Sequence, residues 1–297
     1  MWVLNKPSLA RSKQDIDVLI AHCNNLDAVV DKPLLEQLYD DYDNGGGEVT
    51  TAQLAATDGK KDVIRGQYSK TSGKDPNTGI DKTLVYLRNE LLDPDFANTC
   101  PYCSINKPNQ LDHYMDKSTY GQLATCRLNL VPLCGHCNWL KSDKPYTDFM
   151  HPYYPKVRSG VIFLKADCTI VHGRVCVSFS IDGAALGNVA LEVRLTRQIS
   201  EIRLDKRLQK AVNEFLTHEL LRSHVRTNAG LRKVLAEMQT VTGRQYGDND
   251  WRTAVIRGLR NCAAFDMTVV NNYRNNPVVV NNGAVLLCEN YAQNPGK

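Results

Sequence analysis

The 297-residue chain has no run of about 18 apolar residues, so no segment is expected to span a membrane. Its first residues, MWVLNKPSLARSKQDID, lack an apolar core and a cleavage signature, so a cytoplasmic protein is expected. No internal repeat and no low-complexity tract is present, which excludes repeat architectures. No G-x-x-x-x-G-K-[ST] loop occurs, so any use of ATP would have to lie in a partner protein. A strong charge imbalance is missing as well. Thirty-six Lys and Arg against 32 Asp and Glu leave +4, which permits nucleic-acid binding without arguing for it. Hydrophobic content of 42% and charged content of 23% describe a folded chain, and the length suits two or three regions of ordinary domain size.

Cysteine is not scarce: there are ten. In a reducing compartment they are not expected to form a disulfide framework. Cys100/Cys103 and Cys134/Cys137 form two C-x-x-C pairs 30 residues apart. Such loops each offer a zinc ion two thiolates with the right bite, so the four are expected to make one structural zinc site. A thioredoxin-like redox role is disfavoured, because there are two pairs and no surrounding βαβ pattern. Most of Cys23, Cys126, Cys168, Cys176, Cys262 and Cys288 sit beside apolar residues and read as small core hydrophobes.

Residues 1–98 read as a helical region. Ser12 with Asp15 marks a helix start, followed by Ile16, Leu19, Ile20 and Cys23. Pro33 opens a second helix that stops before Asn44-Gly45-Gly46-Gly47. Thr50–Tyr68 is a weaker helical candidate, Lys70–Gly79 a polar loop, and Leu84, Leu87 and Leu91 mark a short helix. Residues 99–155 form the cysteine-bearing region. In residues 156–297 the pattern first alternates, with Val175, Val177, Phe179 and Ile181 and then Leu191, Val193 and Leu195, which predicts antiparallel strands. Helical spacing returns at Ser200, with later helices near Leu231–Val241 and Trp251–Phe265. Arg203, Arg207 and Lys210, and then Arg252, Arg257 and Arg260, form basic stripes that read either as solvated faces or as tracks for a phosphate backbone.

Between the cysteine pairs, Leu111-Asp112-His113-Tyr114 reads as a strand and Asn129–Leu133 as its partner. Cys137-Asn138-Trp139-Leu140-Lys141 then reads as a first helical turn. The ordered set C-x-x-C, D-H-Y and N-L-V-P-x-C-x-x-C-N-x-x-K resembles the HNH endonuclease family, over roughly Thr99 to Pro152 and with the trailing His151-Pro152-Tyr153. The resemblance implies an α+β fold. A central ββα-metal motif would be clamped by the four cysteines, with a helical N-terminal flank and a strand-then-helix C-terminal region.

It further implies a metal-dependent endonuclease acting on nucleic acid, with DNA favoured over RNA. His113 would activate water. Asp112 and Asn138 would hold a Mg²⁺ or Mn²⁺ ion through hard oxygens. Asn129 would fix the loop and orient the base, and Lys141 would face a phosphate. The chain departs from the pattern in being an H-N-N variant. It also carries Asp116 where related sequences frequently have Pro. Asp116 reads as solvent-facing, with joining the metal shell as the alternative, and His136 as a surface histidine, with replacing the imidazole missing at Asn138 as the alternative. The sequence is also similar to HNH effectors of bacterial anti-phage systems that act with an ATPase partner. The alternative is a zinc-ribbon module that binds nucleic acid or protein without cutting.

Overall fold

In the computed structural model the described residues are 3–22 and 31–275. They are α+β, with helices around two separate two-stranded antiparallel sheets. No helix among them is long and apolar enough to cross a membrane. Two compact units are present, Trp2–Lys156 and Val157–Lys297. The segments 1–98 and 99–155 therefore belong to one body, and the division falls only after the cysteine-bearing region.

In the first unit, α1 spans Leu9–His22 and buries Ser12, Asp15, Ile16 and Leu19 on one face. Its start differs from expectation. Ser8, not Ser12, precedes the first turn, and its Oγ accepts from Arg11 N at 3.3 Å. Ser12 and Asp15 are needed inside, where Asp15 meets the Arg127 guanidinium. Helix α2, Lys32–Asn44, is capped by the Asp31 side chain on Leu34 N and buries Leu35, Leu38, Tyr39 and Tyr42. The expected helix over 50–68 breaks into α3, Thr51–Ala55, and α4, Lys61–Gln67, because Asp58-Gly59-Lys60 forms a 3₁₀ turn between them. Helix α5, Val85–Leu91, follows the polar loop, with Leu84, Leu87 and Leu91 all buried. Strands β1, Gln110–His113, and β2, Leu130–Leu133, then pair antiparallel, with Asp112 opposite Val131 and His113 opposite Leu130. Helix α6, Gly135–Lys141, comes directly after β2.

In the second unit, β3, Leu164–Val171, and β4, Arg174–Ile181, form the expected hairpin. Its two-residue turn puts His172 at φ 49° and Gly173 at φ 72°, the pair of positive values that a tight hairpin with the sheet's twist requires. Leu191, Val193 and Leu195 are not a strand. After the short α7, Gly183–Leu186, they lie in α8, Val189–Glu201, which Asn188 caps through Leu191 N. Leu191, Leu195 and Ile199 recur every fourth residue and are buried, whereas Val193 is 44% exposed. The four-residue spacing wins because it alone gives one apolar face.

Helices α9, Leu204–Arg222, α10, Asn228–Tyr246, α11, Trp251–Asn261, and α12, Met267–Asn275, complete the unit. The basic residues of α11 are engaged internally. Arg257 donates to Leu164 O at 2.7 Å, Arg260 to Gln239 Oε1 at 2.6 Å and Arg252 to Asp250 Oδ1 at 3.0 Å. Cys176 is buried but disulfide-bonded, contrary to its reading as a simple core hydrophobe, and Cys23 and Cys288 lie outside the described residues.

Candidate active site and four-cysteine centre

The four-cysteine centre closes β1, β2 and α6 at one end. Cys100, Cys103, Cys134 and Cys137 are all buried, and their sulfurs lie within 4.8 Å of one another. Thiolates at about 2.3 Å from a tetrahedral zinc stand about 3.8 Å apart, and Cys103 Sγ to Cys134 Sγ is 3.8 Å. The group can thus hold a structural metal such as zinc. It is the one such grouping of three or more His, Cys, Asp and Glu among the described residues. Cys134 also caps α6, its sulfur accepting from Cys137 N. Asn109 Oδ1 accepts from Gly135 N at 2.9 Å and ties the loop entering β1 to the second cysteine pair. Cys126 is fully buried outside this centre, and desolvation pushes its thiol up to about 12.

The pleat of β1 sends Gln110 and Asp112 to one face and Leu111 and His113 to the other. Helix α6 lies along the first face. Asn138 Nδ2 donates to Gln110 Oε1 at 2.6 Å, and one turn later Lys141 Nζ stands 2.8 Å from Asp112 Oδ2. Lys141 was expected to face a phosphate, yet it is 1% exposed. Its ammonium donates to His113 O at 2.9 Å while staying paired with Asp112 Oδ2. Burial raises the Asp112 carboxyl above the usual range, with Lys141 pulling the other way.

On the other face His113 is 8% exposed. Its Nε2 is 2.9 Å from Ala124 O, and a carbonyl can only accept, so Nε2 carries the proton and Nδ1 the lone pair. The Tyr68 ring stands against the imidazole at 4.4 Å between centroids, and Tyr68 Oη donates to Leu111 O. Asn129 is fully buried and works through four bonds. Its Oδ1 accepts from Met115 N and Tyr42 Oη, and its Nδ2 donates to Met115 O and Leu123 O. It thereby holds the loop whose Ala124 carbonyl orients His113. Gly121 in that loop passes so close to α4 that a Cβ there would stand 2.6 Å from Lys61 O.

Tyr42 and His151 continue the network at 3.0 Å, and His151 Nδ1 accepts from Tyr153 N. Asp116 caps its own turn, Oδ1 accepting from Ser118 N and Thr119 N. His136 is exposed beside Trp139. Sequence reasoning missed Tyr42, Tyr68 and the Ala124 carbonyl. The apolar face of α2 contained Tyr42, but nothing in its spacing told which side chain it meets.

Burial is the first cause that depresses His113 from 6.5 to about 4; Lys117 and Lys141 add to it, while the Ala124 bond and Asp116 oppose it. Between those pH values the unfolded chain binds a proton that the folded one does not, so stability is lost as pH falls from 6.5 to about 4. The full loss attributable to this side chain is about 3 kcal/mol. Denaturation midpoints of wild type and His113→Gln, followed over that window without added magnesium or manganese, should therefore converge at low pH. Parallel curves would refute the depressed imidazole.

No family model, curated protein or solved structure matches this chain.

Proposed function

We propose that the Trp2–Lys156 unit is a metal-dependent endonuclease of HNH type, acting on nucleic acid with DNA favoured. One observation carries the reading: His113 is held as a neutral imidazole of fixed tautomer, with Nε2 committed to Ala124 O and the Nδ1 lone pair left to accept a proton. A base that is already deprotonated at neutral pH and oriented by a rigid carbonyl suits abstraction of a proton from water. Nδ1 takes that proton, the water oxygen forms a new bond to phosphorus, and the bond to the leaving oxygen breaks, that oxygen being protonated from solvent.

By donor chemistry Asp112 and Asn138 would hold a hard divalent ion on the face of β1 opposite His113. Asp112 Oδ2 is a buried carboxylate oxygen that an ion would share with Lys141 Nζ, 2.8 Å away, and Asn138 keeps its amide oxygen when Nδ2 is bonded to Gln110. Bound there, Mg²⁺ or Mn²⁺ would supply neutralisation of the phosphate charge. Asn129 keeps the His113 loop in place, and Lys141 holds Asp112 and the end of β1.

The Lys141–Asp112 pair favours a second reading, a zinc-ribbon module that binds nucleic acid without cutting it, because the carboxylate already has a cation beside it. The test separates the two. Wild type and His113→Ala are incubated with plasmid DNA and with total RNA, in Mg²⁺, Mn²⁺ or EDTA, with and without ATP and cell extract that could supply an ATPase partner. Cleavage by wild type and a loss of about 10²–10⁴-fold in His113→Ala are expected. Binding by both proteins with cleavage by neither would leave the binding module.

A further inference from the structure

With Lys141 buried against Asp112, the site needs another cation for the phosphate. We propose that Lys117 takes the scissile phosphate on the His113 side of β1. This rests on the nuclease reading and adds the phosphate-positioning residue to it. Lys117 is exposed, and its Nζ lies 4.8 Å from the centroid of the Tyr68 ring. That ring in turn packs edge-on against His113. The ammonium is therefore held on the flank of the imidazole by a ring that touches both. No carboxylate lies within 4 Å of Lys117 among the described residues, in contrast to Lys61, Arg65 and Arg127 in the same unit. Its neighbour Asp116 turns its carboxylate onto the backbone of Ser118 and Thr119, which fixes the turn that presents Lys117.

An uncompensated cation against an aromatic face, ordered by a capped turn, can receive a phosphate oxygen without first breaking an ion pair. It positions the substrate and does not itself exchange protons.

Two readouts test the role, using the full chain. In cleavage of plasmid DNA with Mg²⁺, Lys117→Ala should lower kcat/KM about tenfold, chiefly through KM, and Lys117→Arg should recover most of it. In the His113→Ala background, binding of a short duplex is measured against salt concentration. Adding Lys117→Ala should reduce the slope of log affinity against log salt by about one, the value for one lost phosphate contact. Wild-type cleavage with unchanged kcat/KM and an unchanged salt slope in Lys117→Ala would overturn the proposal while leaving the nuclease reading intact. If wild type cuts nothing, the nuclease reading falls. An unchanged slope then removes Lys117 as a phosphate contact as well, and a reduced slope keeps it as one.

Discussion

Replacing Cys134 by serine should take the metal content from about one zinc per chain to near zero after dialysis. The reason is geometric. Four buried sulfurs lie within 4.8 Å of one another, one pair at 3.8 Å, so the group can close around a zinc ion with little rearrangement, and the binding free energy of such an ion is folding free energy. Structural zinc in small domains contributes roughly 10–16 kcal/mol of apparent binding energy, and a site of three thiolates retains only part of it. Cys134 has a second role, since its sulfur caps α6. Loss of both should release α6 from β1 and with it the Asn138–Gln110 and Lys141–Asp112 contacts. Metal analysis and exchange of the β1–β2 amides report the two consequences separately. Cys126→Ser is the control, because Cys126 is equally buried but stands outside the centre. A Cys134→Ser protein that keeps one zinc and slow amides would rule out the clamp.

The second large effect lies away from the metal. Arg127, on the 3₁₀ turn just before β2, is 3% exposed and reaches Asp15 on α1, itself 1% exposed, with Nη2 at 3.2 Å from Oδ1. Tyr86 Oη donates to the same carboxylate at 2.6 Å, and Glu90 on α5 takes the remaining side of the guanidinium. Arg127→Met leaves a buried carboxylate without its counter-charge, which costs about 3–5 kcal/mol. The Tyr114 amide, which donates to Asn129 O at one end of the β1–β2 ladder, and the Asn129 amide, which donates to Cys126 O in the turn before β2, should then exchange hundreds to thousands of times faster. Asp15→Leu combined with Arg127→Met should recover most of that loss, since a well-packed apolar pair of similar volume is often as stable as the ions. If the double variant is no better than the single one, the loss is one of packing and the ion pair is not its cause.

How much of this was legible in the sequence depended on the range of the interaction. The two cysteine pairs, the strands around Asp112 and Leu130 and the helix after Cys134 follow from short spacings, and each is in place. Lys141 shows the limit. One turn after Asn138 on a short helix, it read as a cation facing a phosphate, but α6 packs its Cys137, Leu140 and Lys141 face inward. Only the register of β1 puts a carboxylate under it. Asp15 was misread for the same reason, because its partner is 112 residues away. Leu191, Val193 and Leu195 fit two periods equally well over five residues, and only Ile199, buried one turn further on, separates them. The α11 arginines read as a stripe, yet Arg257 and Arg260 bond a carbonyl and a side chain of distant elements, and Arg252 bonds Asp250 at the start of its own helix.

Tyr42 on α2, Tyr68 beyond α4 and Asp15 on α1 each supply a bond or ring contact to the region between the cysteine pairs. The motif is therefore not a portable cassette. Residues 99–155 moved alone into another protein would bring the four cysteines but strip Asn129 of its Tyr42 bond, Arg127 of Asp15 and Glu90, and His113 of the Tyr68 ring. The helical segment and the cysteine segment share one network of bonds, and the junction after Lys156 falls outside it.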